Sequence, residues 1–232
     1  MVTFKHTTLI LSIFFSTLLW GQNSYIKEIP ENWKIISQVN GDLNKDRVEN
    51  LVLIIENTDA SNILKNEGMG SPYLNINPRE ILVFFKDDKN NYTLIEKNTI
   101  GFIHSENDEE STCLADPLMI DGGIKISNNI LIIHFNYWLS CGSWSVNDAS
   151  YKFRFQNNSF ELIGFDHFSF NRATTEETKT SINFSTEKKE VTIGLNQSEE
   201  SKPKTTKGTI KVNQLYKLKN CNKNTYFEIV EL

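Results

Sequence analysis

Between Gly41 and Ile54 the chain reads Gly-Asp-Leu-Asn-Lys-Asp-Arg-Val-Glu-Asn-Leu-Val-Leu-Ile. Asp42, Asn44 and Asp46 put oxygen-bearing side chains at the first, third and fifth positions of a short polar loop. An apolar run, Leu51 to Ile55, follows at once. Oxygens at that spacing converge on one point, which is how a tight loop cages a hard cation such as Ca²⁺. The backbone carbonyl of Val48 at the seventh position and the side chain of Asn50 at the ninth would complete the shell. With two carboxylates among these residues, the site would suit calcium at the millimolar concentrations found outside cells. The competing reading is a turn that keeps its shape through Asx hydrogen bonds alone.

This arrangement resembles the calcium loop of FG-GAP/VCBS-type repeats, in which a strand leads into D-x-N-x-D-G-x-x-D-L and a second strand leaves it. The resemblance covers residues 41–54, with a looser blade-like run of strands from Trp33 to Lys97. It implies a secreted or cell-surface protein in which the metal pins a loop between strands. Two positions depart from the pattern. Arg47 stands where the family has Gly, so the residue that enters left-handed backbone most easily is missing. Asn50 stands where the family has Asp, which removes one negative charge. A single copy is visible, whereas a closed propeller needs about four or more blades. The later stretch from Tyr151 to Ser185 is similar to that of small exported bacterial proteins carrying one such loop near the N-terminus, and it implies no activity.

Other chemistry is sparse. There is no HExxH, GxSxG or P-loop. His134 shares strand parity with Ile130 and Ile132 and is expected in the core. His167 and Asp166 are adjacent, so on a strand they face opposite ways. His104 precedes the acidic run Glu106 to Glu110 without any metal-ligand spacing. Tyr137, Trp138 and Trp144 concentrate aromatic rings beside small residues and form the candidate ligand-binding platform for a glycan or a protein. Burial at a strand end is the competing reading, because large aromatics are mostly buried. Cys113, Cys141 and Cys221 have no CxxC spacing. Cys113–Cys141 is the preferred disulfide, leaving Cys221 free or paired between chains, with three reduced thiols as the alternative.

The elements that would position these residues read as strands. Tyr151, Phe153 and Phe155 alternate with Lys152, Arg154 and Gln156, and Asn157-Asn158 turns the chain toward Phe160 to Phe165. Similar pairs flank Asp87 to Asn91, Asn128-Asn129 and Glu187 to Lys189. Shorter strands are expected at Gly208 to Val212 and Tyr226 to Glu231. Residues 60–78 read as a long loop, apart from a turn or two of helix between Asp59 and Asn66. The expected fold is all-β: antiparallel strands in a sandwich or partial propeller-like arrangement, with few or no long helices.

Residues 1–21 read as a secretory signal peptide: Lys5 precedes an uncharged, mainly apolar run from Thr7 to Trp20. No later segment is apolar for long enough to span a membrane as a helix. Residues 22–232 then form a single all-β domain. Without Lys5, the one charged residue of the leader, the formal charge falls from −5 to −6. That balance gives no electrostatic grip on nucleic acid or an anionic membrane. The 27 Asn residues, many paired, read as turn chemistry. The sequence reading is therefore an exported (periplasmic or extracellular), non-catalytic binding or structural protein, stabilised by calcium at residues 41–54. Its alternatives are an envelope- or glycan-directed hydrolase and an exported inhibitor or immunity protein.

Overall fold

A computed structural model describes residues 24–198, 200 and 202–232. The leader read at residues 1–21 lies outside the described residues. The described strands are β1 (Trp33–Gly41), β2 (Asn50–Asn57), β3 (Ile63–Lys65), β4 (Tyr73–Asn75), β5 (Arg79–Lys86), β6 (Tyr92–Asn98), β7 (Gly123–Ser127), β8 (Ile130–Trp138), β9 (Ser145–Gln156), β10 (Ser159–Asn171), β11 (Glu176–Asn183), β12 (Lys188–Asn196) and β13 (Lys204–Thr209). A short helix, α1 (Thr225–Val230), follows near the C-terminus.

All pairings are antiparallel. One sheet runs β1-β2-β5-β6, a second runs β13-β12-β11-β10-β9-β8-β7, and β3-β4 is a separate hairpin. Val52, Ile54, Ile81 and Val83 of the smaller sheet share one core with Leu131, Ile133, Phe135, Tyr151, Phe153, Phe160 and Phe165 of the larger. The two sheets are therefore the layers of a sandwich. At about 25 cal/mol per Å² of apolar surface, each of these side chains contributes on the order of 2 kcal/mol.

Why Leu51 to Ile55 is apolar at every position is now clear. Val52 and Ile54 face the shared core. Leu51, Leu53 and Ile55 face a second cluster, covered by Tyr25, Ile29, Trp33, Tyr92 and Leu94. A strand buried on both faces loses the polar half of its alternation.

Asparagine acts as punctuation, as its pairing suggests. Asn128 and Asn129 (φ 52° and 60°) join β7 to β8, and Asn157 and Asn158 (φ 51° and 55°) join β9 to β10. Positive φ at both central residues is the two-residue hairpin geometry that matches strand twist, and Asn tolerates it.

Three local expectations change. Residues 225–230 form α1 rather than a strand, because Thr225 and Ile229, four apart, are both buried. The strand expected at 208–212 lies earlier, at Lys204–Thr209, where it pairs with β12 as a fully exposed edge. Residues 60–78 carry only one 3-10 turn (Ala60–Asn62) and then the β3–β4 hairpin.

An aromatic cavity at the end of the sandwich

The candidate calcium turn joins β1 to β2. Asp42 Oδ1 accepts the amide of Lys45 at 2.6 Å and its Oδ2 accepts that of Arg47 at 3.1 Å. Asp46 Oδ1 accepts the Val48 amide at 2.8 Å, and its Oδ2 accepts Asn44 Nδ2 at 2.7 Å. Lys45 and Arg47 both have positive φ (67° and 69°), so each adopts left-handed backbone without being Gly. The Asp42 carbonyl also accepts Asn129 Nδ2 at 2.8 Å, which ties the turn to the other sheet.

Oxygen chemistry at Asp42, Asn44 and Asp46 fits a hard cation. Asn50 is arranged differently. It is fully buried, its Oδ1 accepts the Leu43 amide at 2.7 Å, and its Nδ2 has no hydrogen-bond partner among the described residues. A cation would not satisfy that donor. Among the described residues no three His, Cys, Asp or Glu side chains gather as a metal site. A cation in this turn would therefore need amide and carbonyl oxygens as well.

A concavity with aromatic walls lies where the 99–122 connection and α1 close over the ends of β8 and β9. Its volume is about 360 Å³. Tyr137, His104, Tyr226 and Phe227 line it together with Leu114 and Leu139, while Asp108, Glu110 and Lys223 stand among the lining polar groups.

Long-range contacts hold this site together. Arg79 donates through Nη1 and Nη2 to Asp116 at 2.8 and 2.7 Å and through Nε to Glu56 at 2.7 Å, all in the interior. Arg79 Nη1 also reaches the His104 carbonyl at 3.3 Å. Cys113 and Cys141 are bonded, their Cα atoms 5.4 Å apart, which bears out the preferred pairing. Beside them the amide of Ser140 donates to the Cys113 carbonyl and that of Ala115 to the Trp138 carbonyl. Gly122 ends the connection where a Cβ would lie 2.3 Å from the Pro117 carbonyl oxygen and 2.8 Å from that of His134. At the far wall, Asn98 Nδ2 donates to the carbonyls of Leu218 and Cys221 and fixes the turn that leads into α1.

Inside the cavity His104 Nε2 and the Tyr137 hydroxyl are 3.1 Å apart, with the rings edge to face. The Tyr226 ring lies 5.1 Å from that of Tyr137, and its hydroxyl is 2.9 Å from His167 Nε2. Burial pushes the His104 imidazole down to about 4, against a smaller opposing pull from Asp108. Burial lowers His167 as well and raises Tyr137 and Tyr226 above the ordinary phenol range. At neutral pH this wall is a set of uncharged rings.

The three aromatic residues read as one platform are separated. Tyr137 lines the cavity, half-buried. Trp138, next along β8, faces away, with the Arg172 guanidinium 5.5 Å from its ring centroid. Trp144 is 66% exposed. Arg172 Nη2 donates to the carbonyls of Leu139 and Ser143, bracing the turn between the two tryptophans.

Sequence reasoning missed the outer face of the larger sheet. Ile130 and Ile132 are only half-buried, and His134 points outward with them, while Leu131, Ile133 and Phe135 fill the core. His134 Nδ1 lies 2.7 Å from Ser150 Oγ, and its Nε2 lies 3.4 Å from Asp148 Oδ1. These are cross-strand neighbours, since His134 pairs with Ser150 and Asn136 with Asp148. In a catalytic Ser–His–Asp chain the imidazole takes the hydroxyl's proton, and separate donors hold the oxyanion formed when that oxygen attacks a carbonyl. Here β9 lies between β8 and β10 in the sheet, with its backbone paired to both. The row borders a concavity of about 440 Å³ on this face, with Asp166, Phe168 and Lys179 among its other lining residues. The expectation that Asp166 and His167 diverge holds: Asp166 bonds Lys152 and Ser181 outside, and His167 bonds Tyr226 inside.

No family model, no curated protein and no solved structure matches this chain.

Proposed function

We propose that the chain is an exported, non-catalytic binding protein whose ligand seats in the cavity between Tyr137, Tyr226 and Phe227. One observation carries this reading: a concave site of about 360 Å³ with aromatic walls and a few polar groups. That is the usual build of a small-ligand pocket. Export is supported by the composition of residues 1–21 and by the disulfide, which persists in oxidising compartments.

The test is ligand-observed NMR on the full chain with benzyl alcohol, benzylamine and benzoate. Phe227, 62% exposed at the mouth, is the site reporter because its truncation leaves the core intact. At least one fragment is expected to bind and to lose binding in Phe227→Ala. If no fragment distinguishes that variant from the parent, the reading fails.

Calcium stabilisation is a second, separate proposal, favoured by the oxygen side chains that Asp42, Asn44 and Asp46 place at alternate positions of one short turn. Those side chains and the Val48 carbonyl would hold the ion. When bound, calcium would neutralise the two carboxylates and stiffen the β1–β2 connection.

A further inference from the structure

We infer that this cavity selects a cationic group, an alkylammonium or a guanidinium, over a neutral group of the same shape. The inference rests on the binding reading above and names the chemistry of its ligand.

Three π-systems, Tyr137, Tyr226 and Phe227, line one concavity, with ring centroids 5.1 Å apart for the first pair and 5.3 Å for the second. Aromatic faces attract cations through the ring quadrupole, most strongly where water is partly excluded. The fixed charges favour the same sign. Asp108 and Glu110 line the cavity, Glu109 lies between them in sequence, and Lys223 is the one cation among the lining residues described. Asp108 is held in place by accepting the amides of Glu110 and Ser111 at 2.7 and 3.1 Å. Arg79, whose guanidinium reaches the His104 carbonyl, is already bonded to Glu56 and Asp116. His104 faces the cavity as a neutral imidazole and adds no repulsion. Phe227 at the exposed mouth leaves an entering cation part of its hydration, which limits the cost of desolvation.

The same chemistry could arrive as a free organic amine or as a Lys or Arg side chain on a basic partner. Calorimetry on the full chain separates these sources, using choline, its neutral isostere 3,3-dimethylbutan-1-ol, and acetyl-Gly-Lys-Gly-amide with its Arg counterpart. Choline is expected to bind at least about tenfold more tightly than the alcohol. Its affinity should fall about tenfold in Phe227→Ala and about threefold in Glu110→Gln, both at exposed positions, with folding checked by circular dichroism. Peptides that match or exceed choline would assign the site to a basic partner, and choline alone to a free amine; either supports the inference. Equal or tighter binding of the alcohol overturns it while leaving the cavity as a binding site. So does choline binding that Phe227→Ala leaves unchanged. Failure of choline and both peptides, while a neutral or anionic fragment still depends on Phe227, also overturns cation selection alone. Failure of every fragment removes both readings together.

Discussion

The turn at 42–49 and the cavity wall at 99–122 are both polar connections between strands, yet they are held in opposite ways. Asp42 and Asp46 bond to amides and an amide side chain within five residues of themselves. The wall takes its shape from partners tens of residues away: Arg79 to Asp116, Cys113 to Cys141, and His104 to Tyr137. Apart from the tie between Asn129 and the Asp42 carbonyl, the turn is shaped by local side-chain bonds, and its loss should be local. A wall built from distant bonds stands only when the whole sandwich stands, so damage to it should spread.

The largest break is expected at Arg79. Arg79→Met removes the charge that pairs with two buried carboxylates, leaving Asp116 without its partner. The loss should be about 3–5 kcal/mol in denaturant unfolding, with the cavity lost as well. Removing the disulfide in Cys113→Ala/Cys141→Ala opens a closed loop of 28-residue separation and should cost about 3.5 kcal/mol on the chain-entropy account. Peptide mapping without reduction should recover Cys113 joined to Cys141; a link from Cys141 to Cys221 would refute the pairing.

Acid should also act on the wall. His104 stays neutral in the folded chain down to about pH 4, whereas the unfolded chain takes up that proton near 6.5. The unfolded state therefore binds more protons in this window. Stability should decline as pH falls from about 6.5 toward 4, with about 3 kcal/mol from His104 and a further loss in the same direction from His167. His104→Gln should flatten that slope; an unchanged slope would place its origin elsewhere.

The turn should give smaller and more contained responses. With millimolar affinity, 10 mM calcium should stabilise by about 1.4 kcal/mol and raise Tm by about 4 °C. An identical melt in excess EDTA would leave the Asx turn without metal. Least of all, Arg47→Gly relieves a left-handed non-glycine residue at φ 69° and should stabilise by about 0.5–1 kcal/mol, with cavity binding unchanged.

The same contrast explains what was legible in the sequence. Strand alternation around Tyr151–Phe155 and the Asn pairs between strands are local signals, and the all-β antiparallel fold follows from them, whereas the choice of a sandwich over a propeller-like arrangement does not. Tyr137 reads as a candidate ligand-binding residue from its type and neighbourhood, and it lines the aromatic cavity. Its companions do not read that way, because His104, Tyr226 and Phe227 reach it from segments 33 to 90 residues away in sequence, and no spacing rule spans such a gap. His134 misled for a subtler reason. Strand parity tells which residues share a face, but with Ile130 and Ile132 on one side and Leu131 and Ile133 on the other it could not tell which face was inside. Trp138 and Trp144 looked like one patch with Tyr137 because the alternation of β8 and the turn after it had to be known first.

Cys221 carries a consequence for the biogenesis of this chain. Its thiol is fully buried, burial pushes it up to about 12, and the turn around it is clamped by Asn98 onto β6. A chain that had joined Cys221 to either other cysteine would keep that turn away from β6, and α1 with Tyr226 and Phe227 would have nowhere to dock. Mis-oxidised molecules would therefore display an open, aromatic end that folding helpers and proteases can recognise. With the third thiol sequestered, Cys113 and Cys141 are the pair left to join in the folded chain.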